Sequence, residues 1–464
     1  MSCPSPTELS ELNKCIWGKA ETDPEVFRRW CQGFYFSSAE PTALIQDGGG
    51  PCAILAPVQA VILRDLLFSK KHSLTDLDGG LFTLYVFDQR LLSDSGIDSS
   101  ELLISAILEI MVLVKCDSET TNWKWIYWSF ADGDQSIVVD EPAEPDRFFR
   151  GLKTIEADSA EELHGIIMSL ATELQSPYAV LCFLYSILFT HGLSALRKSM
   201  ADETEPLIDP VHGHASQCLI NLLITGQVTP YLFDRERTVS GIQLTGIMKQ
   251  PRTGFLTLFE ALHYCEAGWY LKNPSYPVWI LGSETHLTVL ASPDLSLVSK
   301  DVYDQGSTAT VHQAEMEFSR LSTDQDTNSG FIQCAKLGEL LNSLSIPFTD
   351  QSLADALKQL DPENFGVILE EPFLQYFFPG EMANRRLAVQ NFQIVHYNGL
   401  EKSNLDNQVR YQIGDAHLLD PTEELLEKEP VDQNPMNRCL RTKWPTIRIK
   451  WKTGRTPSPA WQWG

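Results

Sequence analysis

Apolar positions along this chain follow two periods, and the switch between them marks its elements. After Gln46-Asp47-Gly48-Gly49-Gly50-Pro51-Cys52, the apolar residues Ile54, Val58, Val61 and Ile62 recur with helical spacing, and Pro51 suits a helix start. A helix is therefore predicted to begin at or near Cys52. The longest apolar run, residues 178–189, follows Ser176-Pro177 and stops before Gly192, which predicts a helix buried in protein and too short to span a bilayer. Further helices are predicted from Ser99 or Ser100 to about Val114, from Ser159 through Leu170 on a capping-box spacing to Glu162, at about 216–225 closed by Gly226, and at about 255–267 closed by Gly268. Strand signals occupy 123–130, 276–281, 286–291, 392–397 before Asn398-Gly399, 408–413, and the tail, where Ile447, Ile449 and Trp451 alternate with Arg448, Lys450 and Lys452. Residues 80–87 fit a strand or a buried helix equally, while 132–146 and 415–432, acidic and proline-containing, predict surface loops. Trp17, Phe27, Trp30, Phe34 and Tyr35 are too many large aromatics for water, and are expected to pack against the helix that starts at Cys52.

Beyond Pro293 a different pattern appears. Residues 325–336 and 361–372 each carry glycine at position six (Gly330, Gly366) and isoleucine at position eight (Ile332, Ile368) of an EF-hand-length loop. The two loops begin 36 residues apart (361 minus 325), as a paired EF-hand unit requires. The ligands do not match: the first loop starts with Gln325 and ends with Lys336, and the second has Phe365 at position five and Pro372 at position twelve. Residues 303–378 thus read as a helical unit of EF-hand shape without a good calcium site, suited to packing or partner contact. It separates the main part of a first domain, 1–302, from that domain's C-terminal strands in 379–464.

Charge narrows the partners. A formal net charge of -25 argues against nucleic acid or an anionic membrane surface as the main partner and is compatible with a basic protein. Residues 438–464 reverse the sign, with seven Arg and Lys and no acid, which neutralises the acidic body or contacts an acidic partner. Ten scattered cysteines with no CxxC pair and no secretory signal imply a reducing cytosolic or nuclear compartment.

Three places carry candidate chemistry. Cys52 at a helix N-terminus meets unpaired N–H groups and the positive end of the dipole, which favour a thiolate nucleophile; the alternative is a buried small hydrophobe. His286, at the mouth of a hairpin, suits a general base or a structural role. His212-Gly213-His214 invites a metal, but two histidines without a third ligand make a weak site, and a turn beside the following helix is the favoured reading.

Taken together, QDGGGPCAILAPVQA, LIDPVHGHASQCLINLLITG and VWILGSETHLTV resemble the MINDY family of ubiquitin-specific cysteine proteases. The likeness is closest to the family's third member, extends to FQIVHYNGL and RCLRTKWPTI, and covers nearly the whole chain. It implies an α+β, papain-related cysteine protease fold with an inserted all-helical EF-hand-like unit. It implies a thiol-dependent ubiquitinyl hydrolase that cuts isopeptide bonds after the ubiquitin C-terminal glycine, prefers lysine-48-linked chains, uses no cofactor or metal, and meets polyubiquitin chains and ubiquitinated proteins in nucleus and cytoplasm. By motif, the nucleophile falls on Cys52, the general base on His286 and an oxyanion-hole residue on Gln46. Glu284, Asn398 or no third residue remain open as the group that orients His286. The competing class is a ubiquitin-binding interaction protein that keeps the fold without hydrolysis.

Overall fold

Short polar side chains and prolines set the first helices. In α1 (Pro6–Trp17) Ser5 accepts from the Glu8 N–H, and in α2 (Pro24–Trp30) Asp23 accepts from Glu25, each just ahead of a proline in the first turn. The central helix α3 (Cys52–Phe68) follows Pro51, with no side chain capping its first turn. Fifteen of its 17 residues are buried, so it is enclosed by other elements and is not a surface helix. The computed structural model describes residues 3–18, 23–69, 98–115, 120–129, 144–200, 205–298, 311–322, 330–344, 346–378, 391–419 and 434–457. The expectations for 80–87, for most of 132–146 and 415–432, and for the start of the first EF-hand-length loop lie outside these residues.

The chain continues through α4 (Ser99–Lys115), β1 (Trp123–Trp128), α5 (Pro145–Gly151), β2 (Leu152–Ala157), α6 (Ala160–Ser169), α7 (Ala179–His191), α8 (Leu193–Ser199) and α9 (Gln217–Thr225). A hairpin, β3 (Glu236–Val239) and β4 (Ile242–Thr245), precedes β5 (Gly254–Thr257), α10 (Leu258–Ala261), α11 (Trp269–Lys272), β6 (Val278–Gly282) and β7 (Leu287–Ala291). Next come α12 (Val311–Ser322), β8 (Phe331–Gln333), α13 (Leu337–Ser343), α14 (Asp350–Leu360), β9 (Val367–Leu369) and α15 (Glu370–Phe377), and the chain closes with β10 (Asn391–Tyr397), β11 (Gln412–Leu418), α16 (Pro435–Arg441) and β12 (Ile447–Trp451).

These elements form two compact units, one of Met1–Leu295 with Phe392–Gly464, the other of Ser296–Asn391. The first contains a mixed six-stranded sheet in the order β12-β11-β10-β7-β6-β5. In it β5 and β6 run parallel, while β6 with β7, β7 with β10, and β11 with β12 run antiparallel. Every residue of β6 and β7 is buried, and α3 packs on both strands. In the second unit, two helix-strand-helix repeats meet through β8 and β9, which pair antiparallel with Ile332 opposite Ile368. Both isoleucines are fully buried in a core with Phe318, Leu337, Leu340 and Phe373. This pairing corrects the expectation of an all-helical unit: the isoleucine at position eight of each loop is extended and pairs with its counterpart.

Other expectations shift for local reasons. The helix expected at 255–267 is instead β5 followed by the one-turn α10, because Gly254–Thr257 lies in parallel register beside Trp279–Gly282. A Cβ on Gly254 would fall 2.3 Å from the Leu271 carbonyl oxygen, a backbone approach that only glycine permits. Gly268 does not close that helix; it precedes α11. The N-terminal aromatics do not find their ring partners on α3. Phe27 packs at 5.6 Å on Phe148 of α5, Phe34 at 6.1 Å on Phe183 of α7, and Trp17 Nε1 donates to the Tyr185 hydroxyl. The faces of α3 are covered by β6, β7, α4 and α9, and Tyr35 is 40% exposed. The strand expected at 408–413 runs from Gln412 to Leu418, set by its pairing with the tail strand. Among the described residues no single helix is long and apolar enough to cross a membrane.

Candidate active site

The site is assembled from four backbone segments held by buried side chains. Gln59, inside α3, accepts from the Leu44 N–H and donates to the Thr42 carbonyl, while the Tyr397 hydroxyl donates to the Leu44 carbonyl. The segment leading to Gln46 is thereby fixed to α3 on one side and to the end of β10 on the other. The Gln46 N–H then donates to the Gly399 carbonyl at 2.8 Å. At the opposite edge the turn from β6 to β7 is closed by Ser283, whose hydroxyl bonds the backbone of His286, and His286 stands just before β7.

His286 Nε2 lies 2.9 Å from Asn398 Oδ1. The same oxygen accepts the Leu400 N–H at 3.0 Å, and Asn404 holds the Asn398 and Leu400 carbonyls. Asn398 Oδ1 is therefore an acceptor, His286 carries its proton on Nε2, and Nδ1 is left as the basic nitrogen. Of the options open for the third residue, Asn398 is brought onto the imidazole. Glu284 lines the adjoining cleft.

Cys52, His286, Glu284 and His214 line one cleft of about 570 Å³ within the first unit, together with Tyr231, Phe233, Phe259, Tyr264 and Glu266. Cys52 is the first residue of α3, and the N–H groups of Cys52, Ala53 and Leu287 point at its sulfur. Burial outweighs them and pushes the thiol up to about 11, so the thiolate expected from helix position alone is not the resting form. Burial likewise lowers His286 to about 4; the Asn398 bond opposes this and nearby His214 adds to it. Cys52 Sγ donates to the Gly50 carbonyl at 3.7 Å, and among the described residues no hydrogen bond joins it to His286. Gln46 is buried, with Nε2 donating to the Gly48 carbonyl at 2.6 Å, which leaves its second amide hydrogen available.

Known proteins resemble this chain in sequence over most of its length. Residues 14–316 match the family model described as Deubiquitinating enzyme MINDY-3/4, conserved domain. The chain belongs to the MINDY-3/4 family. The ubiquitin carboxyl-terminal hydrolase MINDY-3 of Homo sapiens is 36% identical over 97% of this chain and 98% of its own length. The MINDY-3 homolog of Drosophila melanogaster is 34% identical over 97% of this chain and 83% of its own, and a probable MINDY-4 of Xenopus tropicalis is 26% identical over 56% and 33%. No solved structure matches.

Within this MINDY-3/4 domain the His212-Gly213-His214 segment is a turn. Asp209 accepts from the Val211 and His212 N–H groups, and Trp30 Nε1 donates to the Gly213 carbonyl. Read from sequence, His214 is only part of a turn or a weak metal motif, and its place in the cleft is missed. The adjoining SQC segment, which starts α9 just after His214, is the available signal, since His214 lines the same cleft as Cys52.

Proposed function

We propose that this deubiquitinase hydrolyses isopeptide bonds after the ubiquitin C-terminal glycine through Cys52, His286 and Gln46, with Asn398 orienting the imidazole. The observation that carries this reading is that His286, bonded to Asn398, lines the same cleft as a cysteine on an uncapped helix N-terminus. His286 Nδ1 takes the proton of Cys52 as the sulfur attacks the glycine carbonyl carbon. The oxyanion is met by the Cys52 N–H and the second Nε2 hydrogen of Gln46. Collapse expels the lysine amine, which receives that proton from His286, and His286 then deprotonates the water that releases the acyl group from sulfur.

The resting thiol, protonated and hydrogen-bonded to Gly50, favours a chain that becomes reactive when substrate fills the cleft. The same observation is the one that favours a non-catalytic ubiquitin binder. Ubiquitin bearing a C-terminal electrophile decides between them. One ubiquitin adduct by intact mass, lost in Cys52→Ala, is expected; an adduct that persists in Cys52→Ala, or no adduct in the parent chain, overturns the assignment.

The finer reading is a papain-related fold, in which cysteine starts a helix, histidine immediately precedes one sheet strand and asparagine immediately follows its neighbour. The pairing of Ile332 with Ile368 supports an EF-hand-shaped second unit. Preference for lysine-48-linked chains, and work in nucleus and cytoplasm, rest on the family resemblance. A panel of all linkages at two chain lengths tests the preference: cleavage of the lysine-48 tetramer ahead of other types supports it, and indifference to linkage removes it.

A further inference from the structure

The sheet of the first unit ends in two unlike edges. β5 is buried at every position with α11 packed on it, whereas β12 pairs with β11 alone among the described strands and runs out into exposed residues 452–456. In the β11–β12 ladder the Lys452 N–H donates to the Ile413 carbonyl at 2.9 Å and the Leu419 N–H to the Thr446 carbonyl at 3.4 Å. Residues 446, 448, 450 and 452 therefore direct their backbone groups at β11, and 447, 449 and 451 direct theirs outward. Local turns use the Ile447 N–H and the Trp451 carbonyl, which bond Trp444 and Gly454. The Ile447 carbonyl, both backbone groups of Ile449 and the Trp451 N–H have no protein partner among the described residues, which leaves a row of bonding groups along the edge. The side chains beside that row are basic. Lys450 and Lys452 are exposed and Arg448 is half-buried, and among the described residues no ion pair engages either lysine. Asp415, opposite Lys450 on β11, accepts from Gln393 Nε2 at 3.3 Å instead. None of these residues lines the cleft that holds Cys52.

We propose that β12 is a docking edge for an extended acidic segment of another protein, one in which acids alternate with apolar residues, added antiparallel as one more strand of the sheet. Residues that oppose each other on neighbouring strands share a face. The residue set against Ile449 is therefore apolar, and its two neighbours, set against Arg448 and Lys450, are acidic. The unpaired backbone groups of β12 supply the bonds, and its cations supply the selection. A second copy of this chain does not fit, because β12 against β12 opposes Arg448 to Lys450. The local reversal of sign, seven Arg and Lys without an acid in residues 438–464 of a chain at net charge -25, thereby acquires a partner. Docking at this edge holds a protein on the chain without filling the cleft.

An octapeptide alternating glutamate and valine, labelled with fluorescein, is titrated into the full chain and read by anisotropy. Lys450→Glu combined with Lys452→Glu is expected to weaken its binding at least about tenfold. Thermal melting checks that these two surface changes leave the fold intact. The decisive arm alters the peptide alone. In antiparallel register the valine opposite Ile449 turns its backbone groups to β12, while the glutamates turn theirs away. N-methylation of the valines should therefore abolish binding, and N-methylation of the glutamates should change it less than about threefold. The proposal is overturned if the peptide does not bind, if the double charge reversal has no effect, or if the two N-methylated peptides bind alike. It is equally overturned if a peptide of the same composition with its glutamates clustered, or a DNA duplex of matched charge, competes as well as the alternating peptide.

Discussion

The corner around Cys52 and the loop around Asp361 are built alike and end differently. Each is a glycine-containing turn that feeds a short extended segment or a helix, and each carries side chains of the right type for chemistry. At Asp361 both carboxylate oxygens are engaged by the loop itself: one accepts the Phe365 N–H at 2.8 Å, the other the Gly366 N–H at 2.7 Å, and Cys334 Sγ lies 3.4 Å from the latter. Position five is Phe365, which points into solvent, and position twelve is Pro372. At the Cys52 corner each group is held by one bond and keeps one function in reserve: Nδ1 of His286, the second amide hydrogen of Gln46, the uncapped first turn of α3. A turn becomes a site when its own folding leaves chemistry over. The second unit's loop folds by using its chemistry up.

The comparison breaks most sharply if the reserve at the Cys52 corner is not what drives cleavage. His286→Ala should lower kcat by at least about 10²- to 10⁴-fold, since it removes both the proton acceptor and the donor to the leaving amine. Chain-cleavage kinetics with single turnovers measure it, and a loss under tenfold would move the base elsewhere. Gln46→Ala should cost roughly 2.7 to 4 kcal/mol of transition-state stabilisation if its amide is a full oxyanion donor. Unchanged turnover where chemistry limits the rate takes Gln46 out of the oxyanion hole. Asn398→Ala should lower kcat on the order of tenfold to a hundredfold with KM nearly unchanged, because it acts by holding the tautomer of His286. A change in KM alone would mean that Asn398 serves the cleft wall and not the imidazole.

The other side of the comparison is sharpened by loosening the second unit without touching the first. Ile368→Ala removes a fully buried side chain from the strand pair and should destabilise that unit by about 2 to 5 kcal/mol. Labelling of Cys52 by the ubiquitin electrophile should stay within about twofold of the parent, as every residue assigned to the reaction lies in the first unit. Labelling that falls in step with the second unit's melting transition would tie the two functionally.

Much of this was legible because local chemistry and periodicity agreed. The start of α3 at Cys52, the hairpin whose second strand follows His286 and the glycine closing α9 follow from proline, alternation and a left-handed Gly226 with φ 78°. The 255–267 segment misled because Leu256, Leu258 and Phe259 suit a helix equally well; what decides it is a non-local neighbour, Trp279 on β6, which demands a backbone at Gly254. The His286–Asn398 contact spans 112 positions and depends on β10 lying beside β7, which no local pattern in FQIVHYNGL announces. The raised thiol was illegible for a related reason: the helix N-terminus can be read locally, but burial of Cys52 is a property of everything packed around it.

The smallest effect concerns a buried polar side chain with no hydrogen-bond partner among the described residues. His396 on β10 is fully buried, its ring edge-on to Trp451, and among the described residues neither ring nitrogen has a hydrogen-bond partner. Burial lowers it to about 3, with His286 adding to the shift, and His286 itself is lowered to about 4. Unfolding returns both to near 6.5, so the unfolded chain binds more protons below that value. Their contribution is full above about pH 6.5 and is lost as pH falls from there toward 4 and 3. Glu40 and Asp234, both raised to about 7 by burial, work the other way: their contribution is full at acidic pH and lost as pH rises toward 7. The two pairs oppose each other between roughly pH 4 and 6.5, which flattens the parent's stability there and hides each contribution. His396→Leu exposes one. It leaves no hydrogen bond broken, so stability at pH 7.5 should be unchanged or higher, and at pH 5 the variant should gain about 2 kcal/mol over the parent relative to pH 7.5. Denaturant unfolding at the two pH values measures the difference, and identical pH dependence in the two proteins would mean that His396 titrates in the native chain as it does in water.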